Sequence, residues 1–222
     1  MKVFGNAGMN NVTASTSSFD ENKLNADDRF DLNRIQQSLH FDPYPEPLPE
    51  RLSVDDLQRV ASYVNYTYLH YSANCVLLSA CAHYNLEYKA NILRSENLSS
   101  PYTGLNPEVV DEVVFGVSLR SSFRYLSLED VEREVLRRYE INGDQSCIVS
   151  AEGYVVPLVG EISHDFNAVV LLNSENRPIV HYVDAWKTSN TTPSREELKS
   201  HYSPSTFFTV RSLGESGRPT GR

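Results

Sequence analysis

His164-Asp165-Phe166-Asn167-Ala168-Val169-Val170-Leu171-Leu172, then Asn173-Ser174-Glu175-Asn176-Arg177, then Pro178-Ile179-Val180-His181-Tyr182-Val183-Asp184 is the stretch from which the fold can be worked out. The first and last segments are rich in β-branched and apolar residues, and the segment between them is made of loop-formers, so the whole reads as an antiparallel hairpin. Pairing Leu172 with Asn176 fixes a register in which His164 lies opposite Asp184 on the neighbouring strand, within hydrogen-bonding reach. A slip of one residue would send the two side chains to opposite faces, so the turn decides the inference. By the same alternation His181, at an odd offset from Asp184, points to the other side of its strand and reads as a surface or core histidine.

Upstream, Asn74-Cys75-Val76-Leu77-Leu78 has the pattern of a helix start: Asn74 is a favoured N-cap, and Val76, Leu77, Ala80 and Cys81 follow with helical spacing. A thiolate in the first turn of a helix is stabilised by unpaired backbone N–H groups and the dipole, and further by a nearby imidazolium. The same N–H groups can receive an oxyanion, with the Cys75 N–H as one donor and a group from Tyr71 to Asn74 as the second. Cys75, His164 and Asp184 thus supply a nucleophile, a general base and acid, and a carboxylate that orients the base. Trp186, two residues past Asp184, is placed either to cover that pair from water or to serve as a core indole. Cys81 and Cys147 read as buried core thiols.

The rest of the chain frames this group. Within 222 residues, 40% apolar, a core can be built, and a net charge of −9 argues against nucleic acid or anionic membrane as the main partner. No apolar run approaches the roughly 18 residues of a transmembrane helix. Three cysteines without a CxxC pair favour neither a disulfide framework nor a zinc site, and His40, His70, His83 and His201 share no metal-binding spacing, so no metal or cofactor is expected. Residues 1–30, polar and without apolar periodicity, read as a disordered leader; 31–52, punctuated by Pro43, Pro45, Pro47 and Pro49, as an extended linker; 213–222 as a flexible tail. Between them residues 53–212 form the catalytic domain. Helices are predicted from Ser53 with Asp56, from Cys75, from Asn106-Pro107 and from Ser127 with Asp130 as far as Gly143. Strands follow at 147–151, 166–172, 179–183 and 206–210, interrupted by a short helix after Thr192-Pro193. Helices packed on a C-terminal antiparallel sheet make an α+β fold.

Asn74-Cys75, His164-Asp165-Phe166-Asn167-Ala168-Val169 and Tyr182-Val183-Asp184, in that order, resemble the papain-like toxin fold, a family of bacterial effectors and polymorphic toxin domains that includes protein glutamine deamidases. The resemblance covers about residues 65–190 and implies a Cys75–His164–Asp184 triad that hydrolyses a target protein's glutamine to glutamate. The polar leader reads as a secretion signal for direct injection, by a non-classical route of a type III or type VI-like kind, into a target cell, where the protein is expected to act in the cytosol; an immunity protein or secretion chaperone is a further expected partner. Ser163 stands where the family often has Gly, and Leu69 stands where papain-like proteases carry an oxyanion Gln, which sets the chain further from the proteases than from the deamidases. A papain-like cysteine protease and a catalytically silent binding module of the same fold are the alternatives. The acidic balance points to a protein target with a basic patch around its glutamine.

Overall fold

Ser53 shows how local chemistry lays down the scaffold: its hydroxyl accepts from the Asp56 N–H (3.3 Å) while the Asp56 carboxylate accepts from the Ser53 N–H (2.8 Å). This reciprocal cap opens a helix whose Leu57, Val60, Ala61 and Val64 are all buried. The computed structural model describes residues 24–66, 74–96, 104–117, 119–156 and 160–214. In chain order its elements are α1 (Ala26–Ser38), β1 (Leu39–Pro47), α2 (Val54–Val64), α3 (Cys75–Glu87), β2 (Ala90–Ser95), α4 (Pro107–Phe115), β3 (Arg120–Ser121), α5 (Leu128–Asn142), β4 (Ser146–Val156), β5 (Gly160–Leu172), β6 (Pro178–Val183), α6 (Arg195–Lys199) and β7 (Tyr202–Ser212). The fold is α+β, as expected. Every helix and strand expected from residue 53 onward is present, α4 starting on Pro107 behind the Asn106 cap and α5 ending on Gly143 in the left-handed conformation at φ 69°.

A five-stranded antiparallel sheet, ordered β3-β7-β4-β5-β6, carries helices on both faces. On one face α2 and α3 pack on the sheet, whose Ile148, Val169, Leu171 and Val183 share one core with residues of α1 to α4, α4 packing on α3 and α1 on α4. On the other, Leu128, Val131 and Val135 of α5 meet Phe166, Ala168, Tyr182 and Val210. Residues 75–86 of α3 are buried throughout, which explains why that helix is apolar on every side. Among the described residues, no helix is long and apolar enough to cross a membrane.

Three expectations change. The β5–β6 register is offset by two residues: Leu172 pairs with Pro178, not Asn176. The loop spans all of 173–177 because the Asn173 side chain accepts from the N–H groups of Glu175 and Arg177, both at 2.9 Å, and Asn176 takes a left-handed φ of 58°. A shift of two keeps every side chain on its face, so the alternation argument survives the error. The ladder ends at Asn167–Val183, and Asp184 lies just beyond it.

Residues 26–38, divided on sequence between leader and linker, form α1. Asn25 accepts from the Asp28 N–H at 2.8 Å, Leu32 and Ile35 are buried, and Asp31 accepts from the Asn106 N–H at 2.9 Å. Two buried apolar positions give little periodicity, and the helix is held by contacts made far along the chain. Residues 39–47 are extended as expected but pair with β2; the register breaks between Phe41 and Glu46, around two of the prolines. At the other end Leu213, assigned to the tail, is buried, and its N–H donates to His83 Nε2 at 3.2 Å. Residues 1–23 and 215–222 lie outside the described residues.

A buried ion triad locks the sheet to α4. Arg211 of β7 reaches Asp165 of β5 at 2.8 Å and Asp111 of α4 at 3.2 Å, and it donates to the Ser150 hydroxyl of β4. Burial pushes the Asp111 carboxyl up to about 6 against the opposing pull of Arg211. Arg211→Met is expected to destabilise the fold by about 3–5 kcal/mol at neutral pH, because two carboxylates are left buried without their cation. Since a carboxyl with a raised pKa binds its proton more tightly folded than unfolded, the loss should shrink as the pH falls, which denaturant melts across pH 5 to 8 will show.

Candidate active site

Cys75 is the first residue of α3, and the helix begins with the Leu78 N–H donating to the Asn74 carbonyl at 3.0 Å. Asn74 does not serve as the side-chain cap expected of it. Its backbone (φ −114°, ψ 9°) lacks the extended geometry from which a capping side chain reaches the first-turn N–H groups. A different asparagine docks the helix: Asn167 of β5 donates through Nδ2 to the Ser79 carbonyl at 3.0 Å, both residues buried. The strand that carries His164 is thereby tied to the helix that carries Cys75.

His164 is fully buried, and its Nε2 lies 3.0 Å from Asp184 Oδ2. Burial by itself would lower the imidazolium pKa, but the charge and hydrogen bond of Asp184, and then the Cys75 thiol, outweigh it and hold His164 well above the usual imidazole range. Burial likewise works against the Asp184 carboxylate, yet His164, Lys187 and the Trp186 N–H keep it below the usual range. With Nε2 committed to Asp184, Nδ1 is the ring nitrogen left to face a nucleophile.

The segment after β6 is a built support. Asp184 donates its N–H to the Thr191 carbonyl at 2.8 Å, and its carboxylate accepts from the Trp186 N–H at 3.3 Å. Trp186 is buried with its ring centroid 4.7 Å from that of His164, so the indole packs on the imidazole. Asn65, just past α2, donates to the Ala185 carbonyl at 2.9 Å.

The structure therefore brings Cys75, His164, Asp184 and Trp186 together. It adds Lys187, whose Nζ lies 3.8 Å from Asp184 Oδ2, and His201, whose charged form is disfavoured first by burial and then by Lys187. The sequence signal for Lys187 was its spacing from Asp184 in a turn closed by the Lys187 N–H and the Asp184 carbonyl, 3.2 Å. His181 pairs with Val169 and stays out of the group. Leu69 and the remaining oxyanion candidates, Tyr71 to Ala73, lie outside the described residues, while Ser163 is exposed opposite Glu152. Among the described residues, no cluster of His, Cys, Asp or Glu has the makings of a metal site.

Cys81 and Cys147 are fully buried, and burial pushes both thiols up. Cys81→Ala and Cys147→Ala should each lower stability by about 1 kcal/mol or more while leaving turnover unchanged, a split that melting curves beside an activity assay will resolve.

Residues 1–214 match the family described as Salmonella plasmid virulence protein SpvD. Virulence protein vsdE of Salmonella typhimurium (strain LT2) and virulence protein SpvD of Salmonella dublin are each 43% identical to this chain over 216 residues, covering 97% of it and 99% of the relative. Two solved structures of the Salmonella effector SpvD, a glycine and an arginine variant at one position, superpose with TM-scores of 0.81 and 0.74 at 43% and 40% identity, each covering 90% of this chain and 98% of the other. Matched nearly end to end in both sequence and fold, the chain belongs to the SpvD family of bacterial virulence effectors.

Proposed function

We propose that this effector is a cysteine-dependent hydrolase of carboxamides, in which Cys75 is the nucleophile, His164 the general base and acid, and Asp184 the group that orients His164. The observation that carries the reading is the buried His164–Asp184 pair at 3.0 Å, set beside a cysteine on the first turn of a helix. Cys75 sulfur attacks the amide carbon, and the Cys75 N–H and the start of α3 receive the oxyanion. The imidazolium of His164 hands its proton to the departing amine, leaving a thioester. Water, losing a proton to the now neutral His164, attacks the thioester carbon and releases the acid and the Cys75 thiolate. Asp184 holds the ring and offsets its positive charge through both halves.

The substrate we assign is a glutamine side chain of a target-cell protein, converted to glutamate with release of ammonia. Two features support it. The His-x-Phe-Asn-x-Val strand resembles that of the papain-like toxin deamidases, and Cys75 is recessed, only 8% exposed, so a carboxamide at the end of a flexible side chain reaches it more readily than a backbone amide does. Delivery into the target cell by a type III or type VI-like route, and action in its cytosol, belong to the same reading. The test is mass spectrometry of target-cell proteins incubated with the wild-type chain and with Cys75→Ala. Replacement of one amide NH2 by OH in an intact chain, absent with the variant, is the expected result; Cys75-dependent fragments would establish a protease instead, and no Cys75-dependent change a binding module.

A further inference from the structure

Lys187 stands against the buried His164–Asp184 pair and takes no part in the proposed bond-making. Its Nζ lies 3.8 Å from Asp184 Oδ2, the same oxygen that His164 Nε2 meets at 3.0 Å. Lysine and imidazolium therefore share one carboxylate oxygen, while Asp184 Oδ1 accepts from the Trp186 N–H at 3.3 Å. The Asp184 side chain is fully buried and that of Lys187 is only 14% exposed, so solvent ions screen these charges weakly.

The backbone brings the lysine to this place. Asp184-Ala185-Trp186-Lys187 is a turn closed by the Lys187 N–H donating to the Asp184 carbonyl at 3.2 Å, with the Asp184 N–H taken by the Thr191 carbonyl at 2.8 Å and the Ala185 carbonyl by Asn65 at 2.9 Å. Tied in this way, the turn returns the lysine side chain to the carboxylate of its own first residue. Glu197 of α6 also feels the charge of Lys187, but its oxygens accept from the Ser194 N–H at 2.7 Å and from Asn190 Nδ2 at 3.1 Å. His201, between α6 and β7, is held from its charged form first by burial and then by Lys187, and it feels Asp184, His164 and Glu197 as well. Cys75 faces His164 from α3.

We infer that Lys187 is a positioning residue that acts through Asp184: its ammonium fixes the carboxylate with Oδ2 toward the imidazole and offsets part of its charge, so that His164 can release a proton as well as hold one. The catalytic meaning of this role rests on the hydrolase reading. A buried imidazolium that faces a whole carboxylate charge keeps its proton far above the usual imidazole range, and a general acid protonates a departing amine best when its pKa lies near the working pH. A second cation on the same oxygen, no more than about 7 Å from Nε2, disfavours the charged ring and draws it back toward that range. Asp184 keeps its orienting bond to the ring while its charge is divided.

The measurement is the midpoint of His164 protonation, followed by NMR of its ring nitrogens in the full-length protein carrying Cys75→Ala, so that neither the thiol nor turnover enters the result. Relative to that protein, adding Lys187→Met should raise the midpoint by about half a pH unit or more, because a like charge next to the imidazolium is gone. Lys187→Arg, which keeps the charge, should leave it within about 0.2 unit. Lys187→Gln should move it upward as Lys187→Met does and serves where the methionine variant fails to fold. A midpoint that stays in place or falls in the neutral variants, whatever their melting temperatures, would reduce Lys187 to a packing role and overturn the assignment, and so would an upward shift that Lys187→Arg shares. The hydrolase reading is decided separately, by the Cys75-dependent change of mass in target-cell proteins.

Discussion

Cys75→Ala is expected to lower turnover by roughly 10⁴-fold or more while melting within about 1 kcal/mol of the parent. The two numbers separate because the proposed mechanism makes the sulfur the bond-forming atom, whereas to the fold it contributes one modest contact in a helix that is otherwise buried along its length. Asn167 and the apolar residues of α3 hold that helix on the sheet with or without the thiol. The measurement is single-turnover rate beside a thermal melt. Activity that persists in a folded variant would remove Cys75 from the chemistry altogether.

Asp184→Asn is expected to cost roughly 10³- to 10⁴-fold in rate, because an amide fills the same space but favours the wrong imidazole tautomer and does not balance an imidazolium. A second readout distinguishes this from simple damage. Asp184 is the principal group raising His164, so without it the imidazolium deprotonates at lower pH and the alkaline limb of the rate profile moves down. Stability follows the same linkage. His164, raised in the folded state, contributes stability that is complete below the ordinary imidazole range and is lost as the pH climbs through the raised value. Asp184, lowered in the folded state, contributes stability present above the ordinary carboxylate range and lost as the pH falls through the lowered value. The parent should therefore be most stable between those limits, and the variant should show a flatter curve. An unshifted alkaline limb would mean that another group sets the protonation of His164.

What could be read from the sequence was what neighbouring residues decide. The Ser53–Asp56 box, the Asn106-Pro107 start, the Ser127 cap and the Gly143 stop are each settled within four residues, and the structure has all of them. The hairpin was legible as a hairpin, and its alternation put His164 and Asp184 within reach of each other even though the register was offset by two. That offset comes from Asn173, whose side chain organises a longer loop than the assumed pairing allows. Less accessible were features made by distant partners. α1 depends on Asp31 meeting Asn106, β1 finds β2 across an intervening pair of helices, and the Asp111–Arg211–Asp165 triad joins residues 46 to 100 positions apart. Asn74 failed as a side-chain cap for a related reason: capping depends on backbone angles that residue type alone does not set. Near the proposed site, the sequence reading passed over Lys187, which lies in the same turn as Asp184, and the Asn167–Ser79 bond, which depends on how a strand and a helix meet.

The most direct measurement of the central assignment is the rate at which iodoacetamide alkylates Cys75, followed from pH 4 to 10 in the parent and in His164→Ala. A thiolate sustained by a buried imidazolium should react well above the rate of an ordinary thiol at neutral pH and below, and His164→Ala should abolish that acid-side reactivity. Cys75 labelling that rises only in the alkaline range, with the same profile in both proteins, would contradict a working pair of Cys75 and His164 and leave the fold as a binding module.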